Sequence, residues 1–241
     1  MEKIELNVAE GTNEITLREG IARETYDNYK GFSYQADSTD SFIKVVNERM
    51  NHNGKAIIAY NENGMQAIMD DTVRDRDKDT AHYGYKKSIQ FNEWKVILSG
   101  GVIDQKNFIK FLQRREDGEV KDIEMLLYSL QNFKFVTNIE GDFSQADNNN
   151  YTFMYKTKDG EGTVDIPAMI TADIEIFNES AFPQSMEIEI EVNKPKDAGH
   201  KPTFTLQCPK LNRYIKEAMD WEVKKLKDAF PKYLVIAGKI F

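Results

Sequence analysis

The stretch TADIEIFNESAFPQSMEIEIEV (171–192) decides the fold. In its first part Ile174 and Ile176 alternate with Asp173 and Glu175. In its second, Met186, Ile188, Ile190 and Val192 alternate with Glu187, Glu189 and Glu191. Successive side chains of a strand point to opposite faces, so this period of two predicts two half-buried strands. Paired as a hairpin, they place apolar residues on one face and five carboxylates, Asp173, Glu175, Glu187, Glu189 and Glu191, on the other. Like charges directly opposite one another destabilise a sheet. Such a face calls for lysines nearby (Lys156, Lys158 or Lys194), a cation, or a basic partner.

Strand patterns extend outward from this hairpin. FKFVTNI (133–139), YTFMYKTK (151–158), TVDIPAMITADIEIF (163–177), TFTLQC (203–208) and YLVIAG (233–238) all read as strands. Pro167 predicts a bend or a sheet edge, because proline cannot donate to a ladder. Nearer the start, KAIIAY (55–60) and MQAIMD (65–70) flank NENG (61–64), an Asn-Gly hairpin turn. KIELNVAEGTNEITLREG (3–20) reads as another hairpin.

Helical spacing appears in SFIKVVNERMN (41–51), with a cap at 38–40, and in a segment from a cap at Asp104 through Phe108, Phe111, Leu112 and Arg115. Val120, Ile123, Leu127 and Leu130 form a further stripe, separated from the last by REDGEV (115–120). PKLNRYIKEAMDWEVKKLKDAF (209–230) is a long helix, begun by Pro209 and stopped by Pro231. Glu222 projects into its apolar arc between Ala218 and Leu226, at a contact between domains or subunits or at the edge of the core. Strands and helices in blocks predict an α+β fold, rich in antiparallel sheet, with several packed helices and a long C-terminal helix. The 241 residues suit one interlocked domain, with a sub-boundary near Gln131 where a mixed half gives way to a β-rich half.

The formal net charge is −8, which argues against nonspecific attraction to nucleic acid. No run nears the roughly 20 apolar residues of a membrane span, and the charged opening MEKIELNVAEG (1–11) is unlike a signal peptide. A single cysteine, Cys208, excludes an internal disulfide and suits a reducing, cytoplasmic setting. Cys208 is expected to be a buried structural residue. His52, His82 and His200 share no ligand spacing. No phosphate-binding loop, dinucleotide fingerprint or nucleophile elbow occurs, and no cofactor or metal is expected.

DDTVRDRDKDT (70–80) packs five aspartates among three basic residues. A calcium loop begun at Asp75 would need glycine and glutamate where Thr80 and Lys86 stand. A metal-dependent nuclease would use Asp70 with Glu93 and Lys95 on a following strand. A solvated loop of alternating ion pairs explains the composition more simply. Tyr151, Phe153 and Tyr155, with Lys134 and Lys156, form a base-stacking platform for single-stranded nucleic acid or a sheet core.

The order STDSFIKVVNERM (38–50), AIIAYNENGMQAIMDD (56–71), HYGYKKSIQFNEWKVI (82–97) and IDQKNFIKFLQRRED (103–117) resembles the YfdQ-like family of phage and prophage proteins. GTVDIPAMITADIEIFNES (162–180) and MEIEIEV (186–192) are similar to that family's strand pairs. The resemblance implies phage origin more than any chemistry. The leading expectation is a non-enzymatic intracellular accessory protein that countervails or redirects host machinery, its acidic face meeting a protein with a basic patch. A nucleic-acid-handling factor in phage replication or recombination comes second and the nuclease third. The sequence leaves homo-oligomerisation open.

Overall fold

The structure, a computed structural model, describes residues 31–53, 55–73, 77–133, 144–145, 150–157, 160–193 and 202–239. The hairpin expected at 3–20, together with Lys134, Lys158, Lys194 and His200, lies outside them.

The 171–192 stretch folds as its alternation predicts. β9 (Met169–Glu175) and β10 (Pro183–Asn193) pair antiparallel in a sheet ordered β5 (Val102–Asp104), β11 (Thr203–Gln207), β10, β9. Ile170, Ala172, Ile174, Met186, Ile188, Ile190, Val192, Phe204 and Leu206 all point into one core. Fully burying such a side chain is worth about 1.5–3 kcal/mol. A one-residue slip would exchange these residues for Glu187, Glu189 and Glu191, so burial fixes the register.

Helices α2 (Ile89–Leu98), α3 (Gln105–Leu112), α4 (Ile123–Asn132) and the first half of α5 (Leu211–Ala229) cover that apolar face. Trp94, Phe91, Phe108, Leu112 and Leu130 are among their fully buried contributions. Side-chain caps fix two of the starts: Ser88 accepts from the Phe91 amide at 3.0 Å, and Asp104 from the Asn107 amide at 2.8 Å.

The other large sheet runs β1 (Ser33–Gln35), β4 (Thr80–Gly84), β3 (Gly64–Ile68), β2 (Ile57–Asn61), β12 (Leu234–Ala237). β1–β4 and β2–β12 are parallel, while the other described strand pairs are antiparallel, as expected of a fold rich in antiparallel sheet. A parallel partner needs a long crossover, and α5 supplies one before β12. Helix α1 (Thr39–Arg49) and the end of α5 close a second core of Phe42, Val46, Ile58, Met65, Tyr83 and Phe230.

The β2–β3 hairpin forms, with Glu62 and Asn63 as its two loop residues and Asn61 opposite Gly64. Gly64 is thus a strand residue. A Cβ there would collide with the Tyr83 carbonyl oxygen, and Gly64 sits at φ 155°, so the close approach of β4 and the backbone conformation both require glycine.

A small third sheet joins β6 (Ser144–Gln145), β7 (Asn150–Thr157) and β8 (Gly160–Pro167) antiparallel. β8 ends at Pro167, and the chain passes through Ala168 into β9 of a different sheet, so the proline marks a bend as expected. The fold is α+β. The chain moves between the two cores at Tyr85, which packs against both, and returns along α5.

Candidate functional site

The outer face of the β9–β10 ribbon carries Asp173, Glu175, Glu187, Glu189 and Glu191 together, as the alternation predicts. The pairing differs from the expected opposition of like charges. Asp173 faces Ser185, Glu175 faces Pro183, Glu187 faces Thr171, and Glu189 lies between Met169 and Gln207. Each carboxylate therefore meets a neutral residue across the ladder, which removes the closest repulsion. Asp173 accepts a hydrogen bond from Ser185 Oγ, and Lys210 pairs with Glu187. Among the described residues Glu175, Glu189 and Glu191 have no cationic partner.

Asp173 and Glu175 also wall a cleft of about 470 Å³ whose far side is Glu116, Asp117 and Glu119. The backbone explains the meeting: the Asp173 amide donates to the Glu119 carbonyl at 2.8 Å and the Lys121 amide to the Thr171 carbonyl at 3.0 Å. REDGEV (115–120), which reads in sequence only as a break between helices, thus covers the edge strand and brings further acid to the ribbon.

Beneath the cleft, Glu119 is buried and fully engaged. Its Oε1 accepts from Trp94 Nε1 at 2.6 Å and from the Arg115 guanidinium at 3.3 Å, and its Oε2 from the Glu116 amide at 3.0 Å. Arg115 also pairs with Glu93 and lies 4.2 Å from the Phe111 ring centroid. A buried carboxylate needs such company. Its work is positional: it ties α2 to the loop that carries Glu116 and Asp117.

The chain matches no family model, no curated protein and no solved structure.

Asp70 and Glu93 are held by separate partners. Asp70 follows β3 and accepts from the Thr72 hydroxyl at 2.5 Å, from Asn51 at 2.6 Å and from the Thr72 amide at 2.9 Å, bonds that hold its carboxyl below the usual range. Glu93 and Lys95 lie on α2 and not on a strand. Two positions apart on a helix, they point about 200° away from each other. Among the described residues no group of three or more His, Cys, Asp or Glu is placed to hold a metal ion. In the aspartate-rich stretch, Asp71 pairs with Lys78 at 3.1 Å, and Asp79 lies 3.8 Å from Arg49 and accepts from the Phe32 amide.

Tyr151, Phe153, Tyr155 and Lys156 lie on β7, whose path is described while its side chains are not. His52 meets the Tyr233 hydroxyl at 3.2 Å. Cys208 is half-buried against the first core, and burial pushes its thiol up despite the helix that follows.

Proposed function

We propose that this chain is a phage- or prophage-encoded accessory protein that acts by binding another protein through the acidic outer face of its four-stranded sheet. One observation carries the reading: Asp173 and Glu175 belong at once to the ribbon's carboxylate face and to the wall of the Glu116–Asp117 cleft. The acidic surface is therefore continuous from β10 across the sheet edge. Exposed carboxylates raised on a rigid sheet steer a basic partner and set its register more than they add raw affinity. The resemblance to the YfdQ-like phage family supplies the setting, and a host protein with a basic patch is the partner the charge fits. Among the described residues no helix is long and apolar enough to cross a membrane.

The test is affinity capture from a bacterial lysate with the wild-type chain and with E175Q/E189Q/E191Q, each with and without nuclease. The proposal expects a basic protein retained by the wild type, lost with the variant and indifferent to nuclease. Capture that depends on nucleic acid would favour the nucleic-acid-handling reading. Equal capture by both chains would remove the acidic face from the account.

A further inference from the structure

The buried stripe of α5 has a carboxylate at its centre. Tyr214, Ala218, Glu222 and Leu226 follow at four-residue spacing and share one helix face. Tyr214 and Ala218 belong to the first core and Leu226 to the second, which puts Glu222 at the seam between them. Its side chain is 1% exposed. Oε1 accepts a hydrogen bond from Ser180 Oγ. Oε2 has no hydrogen-bond partner and lies 3.9 Å from Lys225 Nζ, which is itself held by Asp40 at 2.7 Å.

The seam holds another unsatisfied group. Tyr85, which packs against both cores, buries its hydroxyl without a hydrogen-bond partner. Burial, and then the charge of Glu222, push the hydroxyls of Tyr83 and Tyr85 up, Tyr83 to about 12. The turn that delivers Ser180 is strained as well. Glu179 and Ala181, on either side of it, both sit at φ 54°, a left-handed conformation that side-chain-bearing residues rarely adopt. Phe182 then stacks on Trp221, ring centroids 4.8 Å apart and 18° from parallel.

Closed, the seam keeps polar atoms from water and holds two residues in a disfavoured conformation. Admitting water would satisfy the first and releasing the turn would relax the second. The cores on either side have no such incentive to open, since their buried charges, Glu119 and Arg115, are paired. We infer that the two cores are articulated at this seam, with the Ser180–Glu222 hydrogen bond as the catch that holds the closed arrangement. The catch is independent of what binds the acidic face.

Native-state hydrogen exchange on the whole chain tests the catch. The Ser88 amide, bonded to the Ile176 carbonyl at 3.0 Å, and the Asn178 amide, bonded to the Lys86 carbonyl at 2.9 Å, report on the seam. Amides inside β3 and β10 report on the two cores. In the wild type the seam amides are expected to exchange through an opening that leaves both cores protected. S180A should speed exchange at the seam about tenfold while the cores change little. Seam amides that exchange only with global unfolding would overturn the inference, as would an S180A effect spread equally over seam and cores. If S180A does not fold, the wild-type comparison alone decides.

Discussion

The indole nitrogen of Trp94 donates a 2.6 Å hydrogen bond to Glu119 across the first core, where the ring is fully buried. Removing that acceptor would also leave Arg115, whose side chain is 2% exposed, with Glu93 as its remaining ionic partner. Glu119→Ala should therefore destabilise the chain by about 3–5 kcal/mol, the usual effect of breaking a buried ion pair from one side. Urea denaturation measures it. A loss below about 1 kcal/mol would mean that Glu93 alone satisfies the guanidinium.

Gly64 and Gly84 face each other across β3 and β4, yet only one of them is sterically required. A Cβ at Gly64 would meet backbone of Tyr83 at 1.9 Å, whereas at Gly84 the nearest atom is the Asn63 carbonyl oxygen at 3.8 Å. Gly64→Ala should cost about 1–3 kcal/mol through overpacking, and Gly84→Ala should be close to neutral. Thermal unfolding of the two variants side by side gives the comparison.

Much of this was legible in the sequence. Strict alternation from Ile170 to Glu175 and from Met186 to Val192 gave both strands and the face of each residue, because one buried side admits one register. Four-residue spacing on the last helix exposed Glu222 as an intruder in an apolar stripe. The partners across the ribbon were not legible, since whether Asp173 faces Ser185 or Glu187 depends on the length and strain of the 178–182 turn. The helix at 89–98 was missed for another reason: Ser88 announces a cap, but the Glu-Trp-Lys order suggested a strand-borne metal site. Parallel pairing of β12 with β2 links residues far apart in the chain and leaves no local trace. Glu116 and Asp117 joined the acidic surface through backbone bonds of the kind that side-chain patterns do not encode.

Tyr83 should titrate late. Burial raises its folded-state pKa to about 12, above the ordinary value near 10. The neutral phenol is thus the form the fold favours. Its contribution to stability is complete below the unfolded pKa and is lost as pH rises through 10 toward 12. Phenolate absorbance followed against pH, in the wild type and in Tyr83→Phe, should differ by one group ionising at the alkaline end. A difference centred at the ordinary tyrosine value would contradict the burial.

The separation of Asp70 from Glu93 and Lys95 bears on catalysis. Incubated with Mg²⁺ and either single- or double-stranded DNA, the chain should leave the substrate intact. Cleavage abolished by Asp70→Asn would restore the nuclease reading.

The acidic face is tested most directly by calorimetric titration with an arginine-rich peptide. The wild type is compared with E175Q/E189Q/E191Q and with a charge-matched control, E48Q/E124Q/D228N, altered at exposed sites on α1, α4 and α5. All three chains should keep the same unfolding free energy within about 0.5 kcal/mol, as surface changes usually do. Binding should be salt-sensitive and should weaken about tenfold in the face variant and little in the control. Equal weakening in both variants would reduce the face to net charge alone and contradict the proposed role.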